Sequence, residues 1–277
     1  MEQEQVVADF SASDNWIVLS PLEQSIKKKI EAVGTPLKDW KDIKIYRGVL
    51  TGCNEAFIID STKREEILSN CQSDEERERT AELIRPILRG RDIKRYGYVD
   101  NGLYLINTHN GIKDKLPRID IKEYPAIKAH LDQYWDKIST RTDKGDTPYN
   151  LRSCAYLEDF SKPKLIYSEI VQEPQFFFDK AGQFYPEATT FIMVGESIEY
   201  LYDVLHSRIA TYIFKTFYAG GGLGNGGYRY KKAFLELLPI PKPNADFVQY
   251  DIEADLAKSY SLSEEEIAYI SSQIDIC

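Results

Sequence analysis

The sequence predicts an α+β fold of mixed, mostly antiparallel strands with flanking helices and a helical C-terminal tail, resembling a target-recognition domain. Strand-like runs cluster in residues 164–194 and do not alternate with helices. Asp179-Lys180-Ala181-Gly182 has the composition of a tight turn between two of these runs. Helix-capping serines recur elsewhere along the chain, so helices and strands are both expected.

The first predicted helix begins at a clear capping signal. Ser20 and Glu23 have the spacing of a capping box, and Pro21 occupies the first helical position. Ile26 and Ile30 then place apolar side chains on one face, and Gly34 is expected to end the helix.

Further helices follow from the same rules. One is predicted from Ser73 to a point before Pro86, and another after Pro125. A long helix is predicted over Ser197–Phe217 from apolar residues at every fourth position. Ser263 should cap a last, acidic helix.

The strand predictions outside residues 164–194 rest on turn signals. Residues 43–60 are expected to form two strands around a Thr-Gly-Cys-Asn turn. Asn101-Gly102 between apolar flanks predicts a β-hairpin over residues 98–106. The run Phe176-Phe177-Phe178 is expected to be a core strand and not a platform for stacking bases.

The net charge of −9 is concentrated at the two ends of the chain. Residues 1–15 carry −4 and residues 242–277 carry −6, so the intervening stretch is close to neutral. That stretch is therefore able to present a local basic face to phosphate. The four cysteines form no C-x-x-C pair, which argues against a zinc site or a disulfide framework. No apolar run approaches the ~18 residues of a membrane span, and no signal-peptide pattern is present, so we expect a cytoplasmic protein without a membrane partner.

Catalytic motifs are sparse. The chain contains no Pro-Pro and no Glu-x-Lys, and its three histidines are not in a metal-binding spacing. We therefore expect no enzymatic activity, no metal site and no bound cofactor in this chain.

The strongest local charge pattern is IRPILRGRDIKRY, residues 84–96. It contains five cations and only one acid, and Gly90 allows close approach of the backbone. Arginine forks fit phosphates and guanine edges. A solvated basic turn paired with the preceding acidic helix explains the charges equally well.

A glycine-rich segment, GGGLGNGGYRYKK (220–232), combines flexibility with aromatic and cationic residues. Tyr228 could contact a base or sugar, while Arg229, Lys231 and Lys232 could meet phosphates. A nucleotide-binding loop or a plain connection between helices are the alternatives.

A third candidate is the loop segment of residues 139–156, in which Arg141, Lys144 and Arg152 flank a Gly-Asp-Thr-Pro turn. Loops held by a rigid scaffold commonly bind ligands, although a solvated loop is an equal alternative from the residues alone.

The order of several segments resembles the TaqI-like C-terminal specificity domain of type IIG restriction-modification enzymes and related phage-defence methyltransferases. The matching segments are a tryptophan-led helix from Trp16, GVLTGCNEAFIID (48–60), IRPILRGRDIKRY (84–96), YLINT (104–108), YPAIKAHL (124–131), YNLR (149–152), FSKPKLIYSEI (160–170), YLYDVLHS (200–207), LLPIPKP (237–243) and the acidic tail. The chain departs from the family pattern at His206, where asparagine is usual.

The resemblance implies a DNA-recognition role. Residues 15–241 would read the target sequence in double-stranded DNA, residues 1–14 would be a linker from an upstream methyltransferase part, and residues 242–277 would be an acidic tail. S-adenosylmethionine and the adenine-methylating chemistry would belong to the methyltransferase domain of the parent chain, and DNA would be clamped so that the adenine flips out. The parent could also carry a nuclease.

Candidate residues follow from these segments. Those expected at the DNA backbone are Arg89, Arg91, Lys94, Arg95, Arg229, Lys231 and Lys232. Those expected at the bases are Thr51, Asn54, Arg141, Arg152 and Tyr228. A protein-interaction subunit of a restriction or phage-defence complex, favoured by the acidic helices, and a nucleotide-binding enzyme using the glycine-rich loop remain as alternatives.

Overall fold

The computed structural model describes residues 19–220, 227–243 and 251–274. The linker predicted for residues 1–14, Trp16 and the glycines of residues 221–226 lie outside the described residues.

Helices and strands are interspersed along the described chain. Its α-helices are α1 (Pro21–Val33), α2 (Asn54–Phe57), α3 (Ser61–Ser69), α4 (Asp74–Leu83), α5 (Pro125–Asp132), α6 (Trp135–Thr140), α7 (Ile198–His206), α8 (Arg208–Ile213), α9 (Lys232–Leu235), α10 (Ile252–Ser259) and α11 (Glu264–Gln273). Its strands are β1 (Thr35–Pro36), β2 (Lys44–Arg47), β3 (Ile58–Asp60), β4 (Ile84–Leu88), β5 (Ile93–Lys94), β6 (Gly97–Tyr98), β7 (Leu103–Ile106), β8 (Lys164–Ser168), β9 (Ile170–Val171), β10 (Phe176–Asp179), β11 (Tyr185–Pro186), β12 (Thr190–Val194), β13 (Tyr228–Arg229) and β14 (Pro239–Ile240).

Backbone contacts divide the chain into two compact units, each built from separate stretches of sequence. The central unit comprises Lys44–Ser168 and Phe176–Val194. The terminal unit comprises the described residues of Met1–Ile43, Glu169–Gln175 and Gly195–Cys277.

Two four-stranded sheets form the framework of the central unit. The first has the order β10-β8-β12-β2 and is antiparallel throughout. The second has the order β11-β4-β7-β3, and its β11–β4 pair is parallel. Mostly antiparallel pairing among interspersed helices confirms the predicted α+β class.

The core of the central unit is aliphatic and aromatic. Phe57, Leu105, Ile127, Ile166 and Ile192 are fully buried in one cluster that spans both sheets and α5. Burial of each such side chain contributes roughly 1.5–3 kcal/mol to the free energy of unfolding. These residues therefore stabilise the sheets from which the loops of the candidate site extend.

The terminal unit is mainly helical and includes the acidic tail. The predicted capping box of Ser20 and Glu23 is present, as is a second box at Ser263 and Glu266. Glu266 is buried and accepts hydrogen bonds from Lys29 Nζ at 2.7 Å and Ser25 Oγ at 2.8 Å. These bonds join α11 to α1.

Residues 43–60 contain the two predicted strands, β2 and β3, but these strands belong to different sheets. Between them, Thr51 Oγ1 accepts a hydrogen bond from Cys53 N, and a helical turn, α2, precedes β3. The β-hairpin predicted over residues 98–106 is wrong. At residues 98–106, β6 pairs with β5, while β7 pairs with β3 and β4. Asn101 donates its side-chain amide to Asp92, nine residues earlier, a partner that the turn pattern does not show.

The long helix predicted over residues 197–217 is interrupted. Ser207 is extended, with φ −69° and ψ 152°, and its hydroxyl caps α8 by accepting from Ala210 N. Residues 214–218 continue in the wider π-helical geometry. The helix after Pro125 is likewise divided into α5 and α6.

Within the described residues, no helix combines the length and apolar character needed to cross a membrane.

A buried ion pair in the first sheet provides a stability test. Lys164 Nζ lies 2.6 Å from Asp179 Oδ2, and both side chains are almost fully buried. Lys164→Met should lower the free energy of unfolding by about 3–5 kcal/mol, because it leaves a buried carboxylate without its cation. Lys162→Met, which removes an exposed lysine paired with Asp159, should cost no more than about 1 kcal/mol. Urea unfolding of both variants checks this, and equal costs would contradict it.

Candidate nucleic-acid interface

The arginine-rich segment folds as a strand, a tight turn and a small hairpin. After β4, residues 90–92 form a 3₁₀ turn, and β5 then pairs with β6 in the register Lys94 to Gly97. Arg95 and Tyr96 are the two residues of the hairpin turn. Tyr96 is 63% exposed, although it is aromatic.

Asp92 organises this segment from within. Its buried carboxylate accepts both arms of the Arg89 guanidinium, at 2.9 and 3.0 Å, and the Arg89 backbone N–H at 2.9 Å. The Asn101 amide donates to the same carboxylate at 2.8 Å. Burial opposes ionisation of Asp92, but the hydrogen bonds from Arg89 outweigh it and lower the pKa of the carboxyl.

Arg89 therefore has a structural partner, whereas its neighbours face solvent. Arg91 and Lys94 are exposed, and Lys94 Nζ donates to the Arg91 carbonyl at 3.1 Å. Arg91 has no ion-pair partner among the residues that the structure describes. Arg95 is half-buried, with its guanidinium 5.0 Å from the centre of the Tyr96 ring. Charge counting overlooked Tyr96, whose position directly after Lys94 and Arg95 in a hairpin turn is the signal that identifies it.

Gly90 does allow a close backbone approach, as expected for a glycine at this position. Its N–H donates to Thr189 Oγ1 at 3.0 Å, and a Cβ here would lie 2.9 Å from Ser168 Oγ. The close neighbour is the protein's own first sheet.

A chain of polar contacts links Gly90 to the Thr-Gly-x-Asn segment. Thr189 donates its hydroxyl to Glu187 Oε2 at 2.6 Å, and Asn54 Nδ2 donates to Glu187 Oε1 at 3.4 Å. Thr51, which is buried, donates its hydroxyl to Asn54 Oδ1. The two segments that carry half of the predicted site residues are thus held together inside the central unit, while the side chain of Asn54 remains on the surface.

Arg141 lies inside the central unit. It is 7% exposed, its guanidinium donates to the carbonyls of Thr51, Pro148 and Asn150, and it sits 4.3 Å from the centre of the Phe57 ring. Burial lowers the pKa of this guanidinium to about 10, so it stays charged at neutral pH. We assign Arg141 a structural role, joining the 139–156 loop to the Thr-Gly-x-Asn segment.

Arg152 occupies the surface of the same loop. Its side chain is 60% exposed and pairs with Asp143 at 3.1 Å. An exposed pair of this kind opens at little cost, so the guanidinium is available to a ligand. Lys144 is also exposed, and its Nζ donates to the Ser139 carbonyl at 2.6 Å.

The remaining predicted residues belong to the terminal unit. Tyr228 is 2% exposed and packs against Phe214 and Tyr230, so its ring faces the interior. Arg229 pairs with Ile170 between β13 and β9 and is half-buried.

Lys231 and Lys232 follow β13 at the start of α9. Lys232 is exposed and lies 3.6 Å from Glu236, and Lys231 stands 5.6 Å from the centre of the Phe234 ring. Lys215, which the sequence analysis did not select, is exposed and lies 5.2 Å from the centre of the Tyr228 ring.

No group of histidine, cysteine and acidic side chains capable of holding a metal ion occurs within residues 19–220, 227–243 and 251–274.

Comparison with protein families identifies the fold. The family model of the TaqI-like C-terminal specificity domain matches residues 85–240, which is more than half of the chain. The chain belongs to the TaqI-like specificity-domain family. The match begins within the arginine-rich segment and ends at β14, so both units contribute to the specificity domain.

Solved structures with the same fold come from much longer proteins. The type IIL restriction-modification enzyme MmeI in complex with DNA aligns with a TM-score of 0.54 and 12% identity, covering 87% of this chain and 34% of that one. The type IIG restriction endonuclease BpuSI aligns with a TM-score of 0.52 and 15% identity, covering 87% of this chain and 28% of that one. The specificity domain thus spans about a third or less of either neighbour. The comparison of this chain with curated proteins found no match.

The lowered pKa of Asp92 gives a prediction with a defined sign. A folded-state pKa below the unfolded value of about 3.9 contributes stability above pH ~4 and loses it as the pH falls through the folded pKa. Asp92→Asn should therefore destabilise the domain by about 1–3 kcal/mol at pH 7, and the difference from the wild type should shrink below pH ~4. Urea unfolding between pH 7 and pH 3 measures it.

The matched control is Asp146→Asn, which removes an exposed carboxylate paired with Arg118. This variant should stay within about 1 kcal/mol of the wild type at every pH. If Asp92→Asn lowers the free energy of unfolding by the same amount at every pH, the ion pair with Arg89 is ruled out as the source of that loss.

Proposed function

We propose that this specificity domain recognises sequence in double-stranded DNA, with the exposed cations of the hairpin segment on the phosphate backbone. The observation that carries the proposal is the geometry of Arg91 and Lys94. Both are exposed beside a turn that Asp92 and Arg89 hold in place. Because the turn is already fixed, binding a phosphate there would cost little conformational entropy of the backbone.

Two findings support DNA as the ligand. The family whose model matches is a family of specificity domains, and one structural neighbour, MmeI, is described in complex with DNA. The net charge of −9 does not oppose this, because phosphate contacts depend on local cations and the net negative charge is carried by the two ends of the sequence, −4 in residues 1–15 and −6 in residues 242–277.

The proposed backbone contacts are weighted by exposure. Arg91 and Lys94 in the central unit and Lys232 in the terminal unit are the exposed cations that we place first on phosphates. The other four candidates are secondary, because Arg89 is paired with Asp92 and the side chains of Arg95, Arg229 and Lys231 are half-buried.

For base reading we propose Asn54 and Arg152, together with Tyr96. Asn54 and Arg152 have exposed side chains of the types that pair with adenine and guanine edges, and the Asn54 amide would exchange its bonds to Thr51 and Glu187 for bonds to the base. Tyr96 offers an exposed ring on the hairpin turn, suited to stacking or groove contact. Thr51, Arg141 and Tyr228 are buried and act by supporting the surface residues.

We further propose a parent protein of the type IIG restriction-modification class or a related adenine-specific methyltransferase. The short coverage of the two neighbours is consistent with a domain that works beside others. In such a parent, S-adenosylmethionine would bind the methyltransferase domain, and the specificity domain would position the duplex so that the target base can leave the helix.

Removal of the two exposed cations tests the proposal. The double variant Arg91→Ala/Lys94→Ala should bind a labelled duplex at least about tenfold more weakly at 50 mM salt, because two phosphate contacts and their counterion release are lost. Fluorescence anisotropy measures the affinity.

A control with the same change in net charge separates a local contact from general electrostatics. Lys63→Ala/Lys128→Ala removes two lysines from the surfaces of α3 and α5, where they pair with Glu66 and Asp132. This variant should retain DNA affinity within about a factor of two or three. Equal losses in both double variants would reject the hairpin segment as the contact surface.

A further inference from the structure

Arg47 lies outside every cationic segment that the sequence analysis selected, yet it is an exposed cation beside the candidate interface. It is the last residue of β2, an edge strand of the first sheet, where it pairs with Phe191 of β12. Arg47 is exposed and forms no ion pair with any residue that the structure describes. An exposed guanidinium without a carboxylate partner is available to an anionic ligand.

One nitrogen of this guanidinium is already held by the fold. Nε of Arg47 donates to the Ala188 carbonyl at 3.0 Å. Within the described residues, neither of its two terminal nitrogens donates a hydrogen bond. A guanidinium presents its donors as a planar fork that matches a phosphate group. Because the Nε bond already orients this plane, binding a phosphate would cost little side-chain entropy.

The bond to Ala188 places Arg47 beside the turn that carries Arg91. Thr189, the next residue after Ala188, accepts the Gly90 N–H on its Oγ1 at 3.0 Å. Arg91 directly follows Gly90 in the sequence. Adjacent Cα atoms are only ~3.8 Å apart, so the two exposed arginines are attached to one short stretch of backbone. A duplex that crosses this stretch would meet both.

The carboxylates nearest to this stretch in the chain are buried and occupied. Glu187 is 5% exposed, and its Oε2 accepts from the N–H and the hydroxyl of Thr189 at 2.9 and 2.6 Å. Asp92 is buried as well and is paired with Arg89. These two acids fix the backbone that carries the exposed arginines, and their burial keeps negative charge away from the surface that a phosphate would approach.

Arg47 also meets the second contact region, the 139–156 loop. Tyr156 stacks on Tyr46 with ring centres 4.2 Å apart and planes 5° from parallel, and its hydroxyl donates to the Arg47 carbonyl at 3.2 Å. Arg47 and Arg152 line the same cavity, which has a volume of about 310 Å³. Arg47 therefore lies between the arginine-rich segment and this loop.

We propose that Arg47 binds a phosphate of the DNA backbone and joins two separate contact regions into one cationic strip that runs from Arg91 through Arg47 to Arg152. The terminal nitrogens of Arg47 bind the phosphate, while its Nε stays on the Ala188 carbonyl. This role rests on the proposed DNA-binding function and adds to it a path for the duplex across the central unit. Phosphate contacts set the register of a duplex and do not read its bases, so the contribution of Arg47 is the same for every DNA sequence.

The variant Arg47→Gln tests this contact. Glutamine removes the positive charge and keeps an N–H donor that can reach the Ala188 carbonyl. Fluorescence anisotropy with a labelled duplex should show binding about three- to tenfold weaker than that of the wild type at 50 mM salt. Between 50 and 200 mM salt, the plot of log association constant against log salt concentration should become less steep by about 0.9, because one phosphate contact is lost.

The matched control is Arg77→Gln, the same substitution on α4, where Arg77 is exposed and lies 3.9 Å from Glu65. Its affinity should stay within about a factor of two of the wild type, with the same salt slope. Thermal unfolding of both variants separates a contact from a structural role. If Arg47→Gln lowers the unfolding midpoint and the affinity while the salt slope stays that of the wild type, Arg47 only supports the fold and the inference is overturned.

Combination with Arg91→Ala tests whether the two arginines contact different phosphates of one duplex. In the double variant Arg47→Gln/Arg91→Ala the changes in salt slope should add, to about 1.8 in total. A double variant with the same slope as Arg91→Ala alone would place Arg47 away from the duplex and would also overturn the inference.

The wild-type chain and the variants together distinguish two kinds of failure. If the wild type does not bind a duplex at the lowest salt, the proposed function fails and the role of Arg47 fails with it. If the wild type binds, Arg91→Ala/Lys94→Ala loses affinity and Arg47→Gln behaves as Arg77→Gln does, the proposed function stands and only the role of Arg47 is rejected.

Discussion

The buried carboxylate of Asp92 is the constraint on which the candidate interface depends. It accepts both arms of the Arg89 guanidinium, a backbone N–H and the Asn101 amide, and so fixes the turn between β4 and β5. Arg89 therefore stabilises the arginine-rich segment through its ion pair with Asp92. Its neighbours Arg91 and Lys94 are left on the surface of a defined hairpin, where binding orders little additional backbone.

This division of roles explains how an acidic chain can present a cationic surface. The net charge of a protein governs its solubility and long-range steering. A contact with a phosphate depends instead on the charged groups within a Debye length of it, about 8 Å at physiological salt. The acidic residue of the basic segment points inward, and in the terminal unit Glu266 is also buried and paired with Lys29. In both places a buried acid organises the local structure, and beside Asp92 it leaves Arg91 and Lys94 exposed.

Local rules predicted much of the fold and less of the site. Capping signals at Ser20, Ser73 and Ser263 placed helix starts correctly, because a cap is satisfied within one turn of chain. The hairpin predicted at Asn101 is not formed, and that side chain instead binds the Asp92 carboxylate outside the predicted turn. Residue type alone could not distinguish exposed Arg91 from buried Arg141, since burial is decided by long-range contacts with sheets and loops.

The dependence of DNA affinity on salt tests the central claim most directly. For the wild-type chain and a duplex of arbitrary sequence, the logarithm of the association constant should fall linearly with the logarithm of the salt concentration between 50 and 200 mM. Contacts by Arg91, Lys94 and at least one further cation predict a slope of about −2 to −4, at roughly −0.9 for each phosphate contacted. A slope near zero, or no binding at the lowest salt, would contradict the account.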